Sequence, residues 1–264
     1  MILKFDDDNF NNIISSLYEL DEVDAIALGG SRSTGASDDC SDYDIYVYCN
    51  DEISNDKRSA ALTKYCSQSE IGNHYWESED NCVMLNGICI DIIYRDVKMF
   101  EQYIDMVIKN GKPFNGYTTC FWHNIITSKI IFDKSGKFTR LKKTCTVPYP
   151  EKLRKNIIEN NRKLLNGCLP SYDKQILKAY NRGDLVSVHH RITGFLESYF
   201  DIIFALNSIP HPGEKRLVQI CKEKCKILPE YFEENINALL ASVTDGNPYE
   251  IAKDMVARLD KILE

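Results

Sequence analysis

Three aspartates and a glycine-serine turn carry the chemistry legible in this sequence. Asp42 and Asp44 flank one tyrosine at the entrance to the apolar run DIYVYC, residues 44–49. On a strand, residues i and i+2 project to the same face, roughly 6–7 Å apart at their Cα atoms. Two like charges so placed repel each other. A hard divalent cation reverses that penalty, and magnesium typically takes one or two carboxylates together with substrate phosphates. The same pair also reads as a solvated strand edge after the polar turn ASDDCS. Ahead of it, Gly29, Gly30 and Ser31 close a second apolar run, VDAIAL, residues 23–28. Glycine admits a ligand close to the backbone, and N–H groups beside a hydroxyl at such a junction suit a phosphate. A plain turn also accounts for these three residues.

Asp91 changes the balance. It interrupts ICIDIIY, residues 88–94, an otherwise apolar strand. A carboxylate buried there is strongly unfavourable unless it is ion-paired, hydrogen-bonded or metal-bound. An ion pair with Arg95 or another base is one solution. The other is convergence: if the two strands lie side by side, three carboxylates meet near the glycine-serine turn, the layout for two-metal phosphoryl transfer.

The order Gly30-Ser31, ten residues, Asp42-x-Asp44, then Asp91 on a later strand resembles the DNA polymerase beta-type nucleotidyltransferase superfamily. GGSRSTGASDDCSDYDI is most similar to the minimal and aminoglycoside-type branch. The resemblance covers about residues 23–94, and FALNSIPHPGEKR (204–216) is similar to a helical-domain signature of related bacterial enzymes. It implies that Gly30 and Ser31 hold nucleotide phosphates, with Gly29 permitting the turn. It further implies that Asp42 and Asp44 bind both magnesium ions of a metal-nucleotide complex. Asp91 would bind the catalytic metal and help remove the proton of an acceptor hydroxyl. ATP is the implied donor, leaving AMP on the product.

Other charged residues have two readings each. Arg32 either touches phosphate or solvates a helix, and Lys215 either reaches the triphosphate from the second domain or is a surface lysine. Glu77 and Glu79 in HYWESED are an acceptor-side base or cation-binding wall, or a surface loop.

The elements that position these residues follow from periodicity. A helix is expected over 8–21, strands over 23–28 and 44–49, a helix over 56–67, and paired strands over 82–94 turning at Asn86–Gly87. Beyond Pro148 and Pro150 the pattern is almost purely helical, with segments near 151–166, 184–206, 213–225 and 229–242. A last helix is capped by Asn247, with Pro248 first and Glu250 in its opening turn. The expected fold is an α+β sheet domain over 1–147 followed by an all-α bundle over 148–264.

Composition narrows the function classes. The 264 residues are 44% hydrophobic with a formal net charge of −7, a poor match for gripping bulk nucleic acid. No run approaches the roughly 18 apolar residues of a membrane span. The N-terminus is no signal peptide, and ten scattered cysteines read as reduced core residues of a cytoplasmic protein. The expected partners are a nucleoside triphosphate and a hydroxylated small molecule, such as an aminoglycoside-like antibiotic. A protein-AMPylating, antitoxin-like enzyme, a nucleotide-binding regulator with little turnover, and an α/β interaction module with structural acids are the alternatives.

Overall fold

The computed structural model describes residues 3–35 and 41–264, apart from the side chain of Thr34. Most of the expected turn ASDDCS therefore lies outside the described residues. The chain forms two compact units, Met1–Ile104 with Asn124–Val147, and Asp105–His123 with Pro148–Glu264.

In the first unit, six described strands make one sheet: β1 Val23–Leu28, β2 Tyr43–Cys49, β3 Cys66–Asn73, β4 Ser78–Met84, β5 Cys89–Asp96 and β6 Lys129–Asp133, in the order β3-β4-β5-β2-β1-β6. β2 runs parallel to β5 and antiparallel to β1; the other pairings are antiparallel. Every residue of β1 is buried, as expected of a central strand covered on both faces. Helix α1 (Asp8–Tyr18) begins where the Asp7 carboxylate accepts the Phe10 N–H at 3.0 Å, a cap that satisfies a donor the helix leaves free. Its Phe10, Ile13, Ile14 and Leu17 join one core with Ile26, Ile45, Val47, Ile90 and Ile92. A short helix, α2 (Gly30–Thr34), follows β1, and α3 (Asn55–Leu62) follows β2.

The helix expected to reach residue 67 ends at Leu62; after one 3-10 turn the chain enters β3. β3 is an edge strand whose Ser67–Glu70 side chains are exposed. With only one neighbour and no buried face along that stretch, its sequence carries no alternation to read.

The remaining helices are α4 (Val97–Ile104), α5 (Cys120–Thr127), α6 (Lys137–Cys145), α7 (Glu151–Arg162), α8 (Tyr172–Asn181), α9 (Leu185–Leu206), α10 (Leu217–Lys224), α11 (Phe232–Asp245) and α12 (Pro248–Leu263). In the second unit, α9 contributes Ile192, Phe195, Tyr199 and Ile203 to a core shared with Leu239, Met255 and Leu259. Asn247 caps α12 by accepting the Tyr249 and Glu250 N–H groups.

The two units are not divided once near residue 147, because Asp105–His123 belongs with the helical one. Polar bonds fix it there. Asp201, 1% exposed on α9, accepts Thr118 N–H at 3.1 Å and Thr118 Oγ1–H at 2.6 Å. Asn161 donates to the Phe114 carbonyl at 3.0 Å and to Asp201 at 3.1 Å.

Burial lifts the Asp201 carboxyl to about 7, against the pull of these hydrogen bonds. The folded protein therefore holds a proton that the unfolded chain, with a carboxyl near 3.9, releases. That component of stability falls as pH rises from about 4 to 7 and is level above. An Asp201→Asn protein is expected to lose less stability than the parent between pH 5 and 8, by about 2–3 kcal/mol. Urea unfolding at the two pH values measures the difference.

Candidate active site

The site is assembled from the end of β1 and the beginnings of β2 and β5. Asp44 and Asp91 are Cα partners in the parallel register of these strands, so their side chains leave the same face of the sheet. Across the β1–β2 junction, Gly29 N–H donates to the Asp44 carbonyl at 2.8 Å. That bond places the glycine turn against the aspartate strand.

Both glycines are demanded by close approach. Gly30 has φ +57°, and a Cβ there would lie 1.7 Å from Asp44 Oδ2. A Cβ on Gly29 would lie 2.2 Å from the Tyr46 ring. The turn therefore rests on two side chains of β2, with Asp44 under Gly30 and Tyr46 under Gly29. Ser31 and Arg32 follow in α2, which Gly35 closes in the left-handed region at φ +75°.

Tyr46 is held in turn. Asn124 Nδ2 donates to its hydroxyl oxygen at 2.8 Å, and the Arg95 guanidinium covers its ring at 4.0 Å. Arg95 grips Glu77 through two bonds of 2.9 and 2.7 Å, and its third arm donates to Asn124 Oδ1 at 3.0 Å. Arg95 thus pairs with Glu77, and the ion pair with Asp91 considered from sequence is not the one formed. Asp91 instead accepts Asn81 Nδ2–H at 2.7 Å, and Asn73 donates to Asn81. This relay across β3, β4 and β5 fixes the carboxylate's orientation, and among the described residues no ion pair cancels its charge.

Asp42 is exposed and stands one residue before β2. Arg32 holds the backbone there: its Nε donates to the Ser41 carbonyl at 2.8 Å and the Asp42 carbonyl at 3.2 Å. The same guanidinium lies 4.1 Å from the centre of the Tyr43 ring. Lys215 is exposed in the helical unit, ahead of α10.

Glu79 was readable as part of a surface loop. It stands in β4, 8% exposed, opposite Ile93. Burial, and next the charge of Asp91, raise its carboxyl above the usual range. Asn81, Tyr46 and Asn124 escaped the sequence reading altogether. Asn81 left no usable signal: counting outward from a two-residue turn at Asn86–Gly87 sets Cys82 opposite Asp91, whereas the observed register pairs Asn81 with Asp91.

Among the described residues, no group of three or more His, Cys, Asp and Glu side chains is arranged to hold a metal ion. The available donors are nonetheless hard oxygens in register on one face. That chemistry fits magnesium, which fills its remaining positions with water and phosphate oxygens. The described cysteines form no disulfide, and no described helix is long and apolar enough to cross a membrane.

Residues 121–216 match a family model described as a domain of unknown function, DUF4037. No curated protein matches the chain. Among solved structures, a nucleotidyltransferase-like protein from Exiguobacterium sibiricum 255-15 is similar, with 13% identity and a TM-score of 0.46, over 97% of this chain and 73% of that one. Spectinomycin adenyltransferase from Enterococcus faecialis, solved with ATP and spectinomycin, is 12% identical over 96% of this chain and 98% of its own, with a TM-score of 0.34. For aminoglycoside 6-adenyltransferase from Bacillus subtilis the values are 9% identity, 98% and 92% coverage, and a TM-score of 0.30. Likenesses at these scores assign no activity.

Proposed function

We propose that this protein is a nucleotidyltransferase that moves a nucleoside monophosphate, AMP from ATP, onto a hydroxyl of a small molecule. The observation that carries the reading is the in-register pairing of Asp44 with Asp91 beside the Gly29–Gly30 turn. Two carboxylates in register next to a glycine turn packed directly on one of them would supply the two halves of a metal-triphosphate site. The sequence signature through Ser31 and Asp42 agrees with that division.

In this reading Gly29, Gly30 and Ser31 receive the phosphates, and Asp42, Asp44 and Asp91 are the residues that would hold magnesium. Bound there, the metal would supply neutralisation of triphosphate charge. The chain itself orients the reactants. Asn81 aims the Asp91 carboxylate, Tyr46 floors the turn, and Arg32 fixes the backbone ahead of Asp44. Lys215 is a further candidate for nucleotide contact. The acceptor oxygen attacks the α-phosphorus in line and pyrophosphate departs, so orientation and charge stabilisation supply the rate.

The test is incubation with magnesium, α-labelled ATP and a panel of spectinomycin, kanamycin, simple sugars and casein. Label on a small molecule supports the proposal, and label on casein or on the protein itself supports the protein-AMPylating alternative. Magnesium-dependent ATP binding without transfer supports the regulator. Absence of both binding and transfer returns the acids to a structural role.

A further inference from the structure

The sheet unit brings a lysine to the face that carries Asp44. Along β2, Asp44, Tyr46 and Tyr48 alternate onto one side, and Phe138 of α6 stacks on Tyr48 with ring centres 4.2 Å apart. Helix α6 therefore lies over the site's face of the sheet. Its Phe138, Leu141 and Cys145 are buried, and Lys142, one turn after Phe138, is half-buried. The Lys142 ammonium donates to the Ser128 carbonyl. Ser128 precedes β6, whose first residue, Lys129, is the Cα partner of Leu28 at the end of β1. Gly29 follows Leu28. Across one strand spacing, about 5 Å, the residue that holds Lys142 thus adjoins the chain entering the glycine turn.

Among the described residues, no carboxylate pairs with Lys142. Burial pulls its ammonium below the usual lysine range, since removal from water disfavours the charged form. An ammonium has three N–H donors, and the Ser128 carbonyl takes one. Neighbouring cations are engaged elsewhere. Arg95 is bound twice to Glu77. Lys129 lies over the Phe5 ring at 5.3 Å, against the core beneath the opposite face.

We propose that Lys142 is a phosphate-binding residue: anchored to the Ser128 carbonyl through one N–H, it presents the others to a phosphate oxygen of the nucleoside triphosphate. This rests on the nucleotidyltransferase reading and adds to it a cation from the sheet unit itself. Charge gathers on the pyrophosphate as it departs, and a lysine meets such charge as a compact point charge. A phosphate in turn supplies the counter-charge that no described carboxylate offers this ammonium.

The experiment measures binding of labelled ATP with magnesium, and its displacement by adenosine, for the full-length parent, Lys142→Met and Lys142→Gln. Glutamine keeps an N–H for Ser128 without the charge, so it separates a hold on the carbonyl from a hold on phosphate. Both variants are expected to bind ATP roughly 10–100-fold more weakly, the worth of one or two charge-assisted hydrogen bonds. Adenosine, which lacks phosphate, should bind both within about twofold of the parent. A Gln protein that binds ATP within about twofold of the parent overturns the proposal, as does an equal loss for ATP and adenosine. A parent that binds no ATP in the presence of magnesium overturns the nucleotidyltransferase reading itself, and this assignment with it.

Discussion

An Asp91→Asn protein is expected to bind magnesium-ATP within several-fold of the parent while its transfer rate falls by about 10³ or more. In the proposed site, loss of one carboxylate that would hold metal removes several kcal/mol of charge stabilisation, and each 1.36 kcal/mol is tenfold in rate. The fold should tolerate the change. Asp91 has Asn81 as its hydrogen-bond partner rather than an opposite charge, so no buried cation is orphaned and the structural cost is about 1 kcal/mol. Calorimetric ATP binding, thermal melting and a single-turnover assay separate the three quantities. A melting loss that accounts for the rate loss would make Asp91 a structural residue. Asp44→Asn should differ by losing magnesium-ATP affinity as well, since Asp44 is the carboxylate in contact with the glycine turn.

The second large effect concerns Gly30. Alanine at φ +57° costs roughly 1–2 kcal/mol of backbone strain. Its methyl group would also occupy the position of Asp44 Oδ2, 1.7 Å away, so the carboxylate has to swing out or the turn has to open. A Gly30→Ala protein is expected to lose at least about 10² in transfer rate, since small misplacements of a positioned group have that effect. Gly35→Ala provides the control. Gly35 also has positive φ, +75°, but an added Cβ meets nothing within 4 Å. It should show the strain in its melting temperature and keep the activity. Equal activity losses in the two proteins would mean that contact with Asp44 is irrelevant.

Much of the architecture could be read because the central strands are continuous apolar runs ended by glycine or acid. VDAIAL is β1 to the residue, and β2 begins one residue ahead of its expected start. The β4–β5 reversal falls at Asn86–Gly87 as expected, with Gly87 at φ +85°, but Met84 N–H bonds the Ile88 carbonyl, so the loop takes in Leu85 and is one residue longer than an Asn-Gly turn. β3 could not be read because an exposed edge strand has no buried face to pattern its sequence. The relation between β2 and β5 was equally hidden. Parallel strands joined by α3, β3 and β4 meet through tertiary packing, so Asp44 opposite Asp91 was a condition on the reading until the register was known. The hold of Arg32 on the Asp42 carbonyl, across ten residues, was not legible either. Side chains that act through others, such as Tyr46 and Asn124, look like ordinary core and helix positions until their partners are known.

The chain's three passages between its units, at residues 104/105, 123/124 and 147/148, bear on how the molecule can be taken apart. A gene fragment ending at 147 would carry Asp105–His123 without the helices that receive it, leaving Trp122, 2% exposed in the intact protein, to the solvent. The complementary fragment, 148–264, would expose the Asp201 carboxylate and Asn161 amide with Thr118 and Phe114 missing. Neither piece is a module that can be expressed, swapped or fused as it stands. Grafting a different helical unit onto this sheet requires replacing two separate stretches of sequence together.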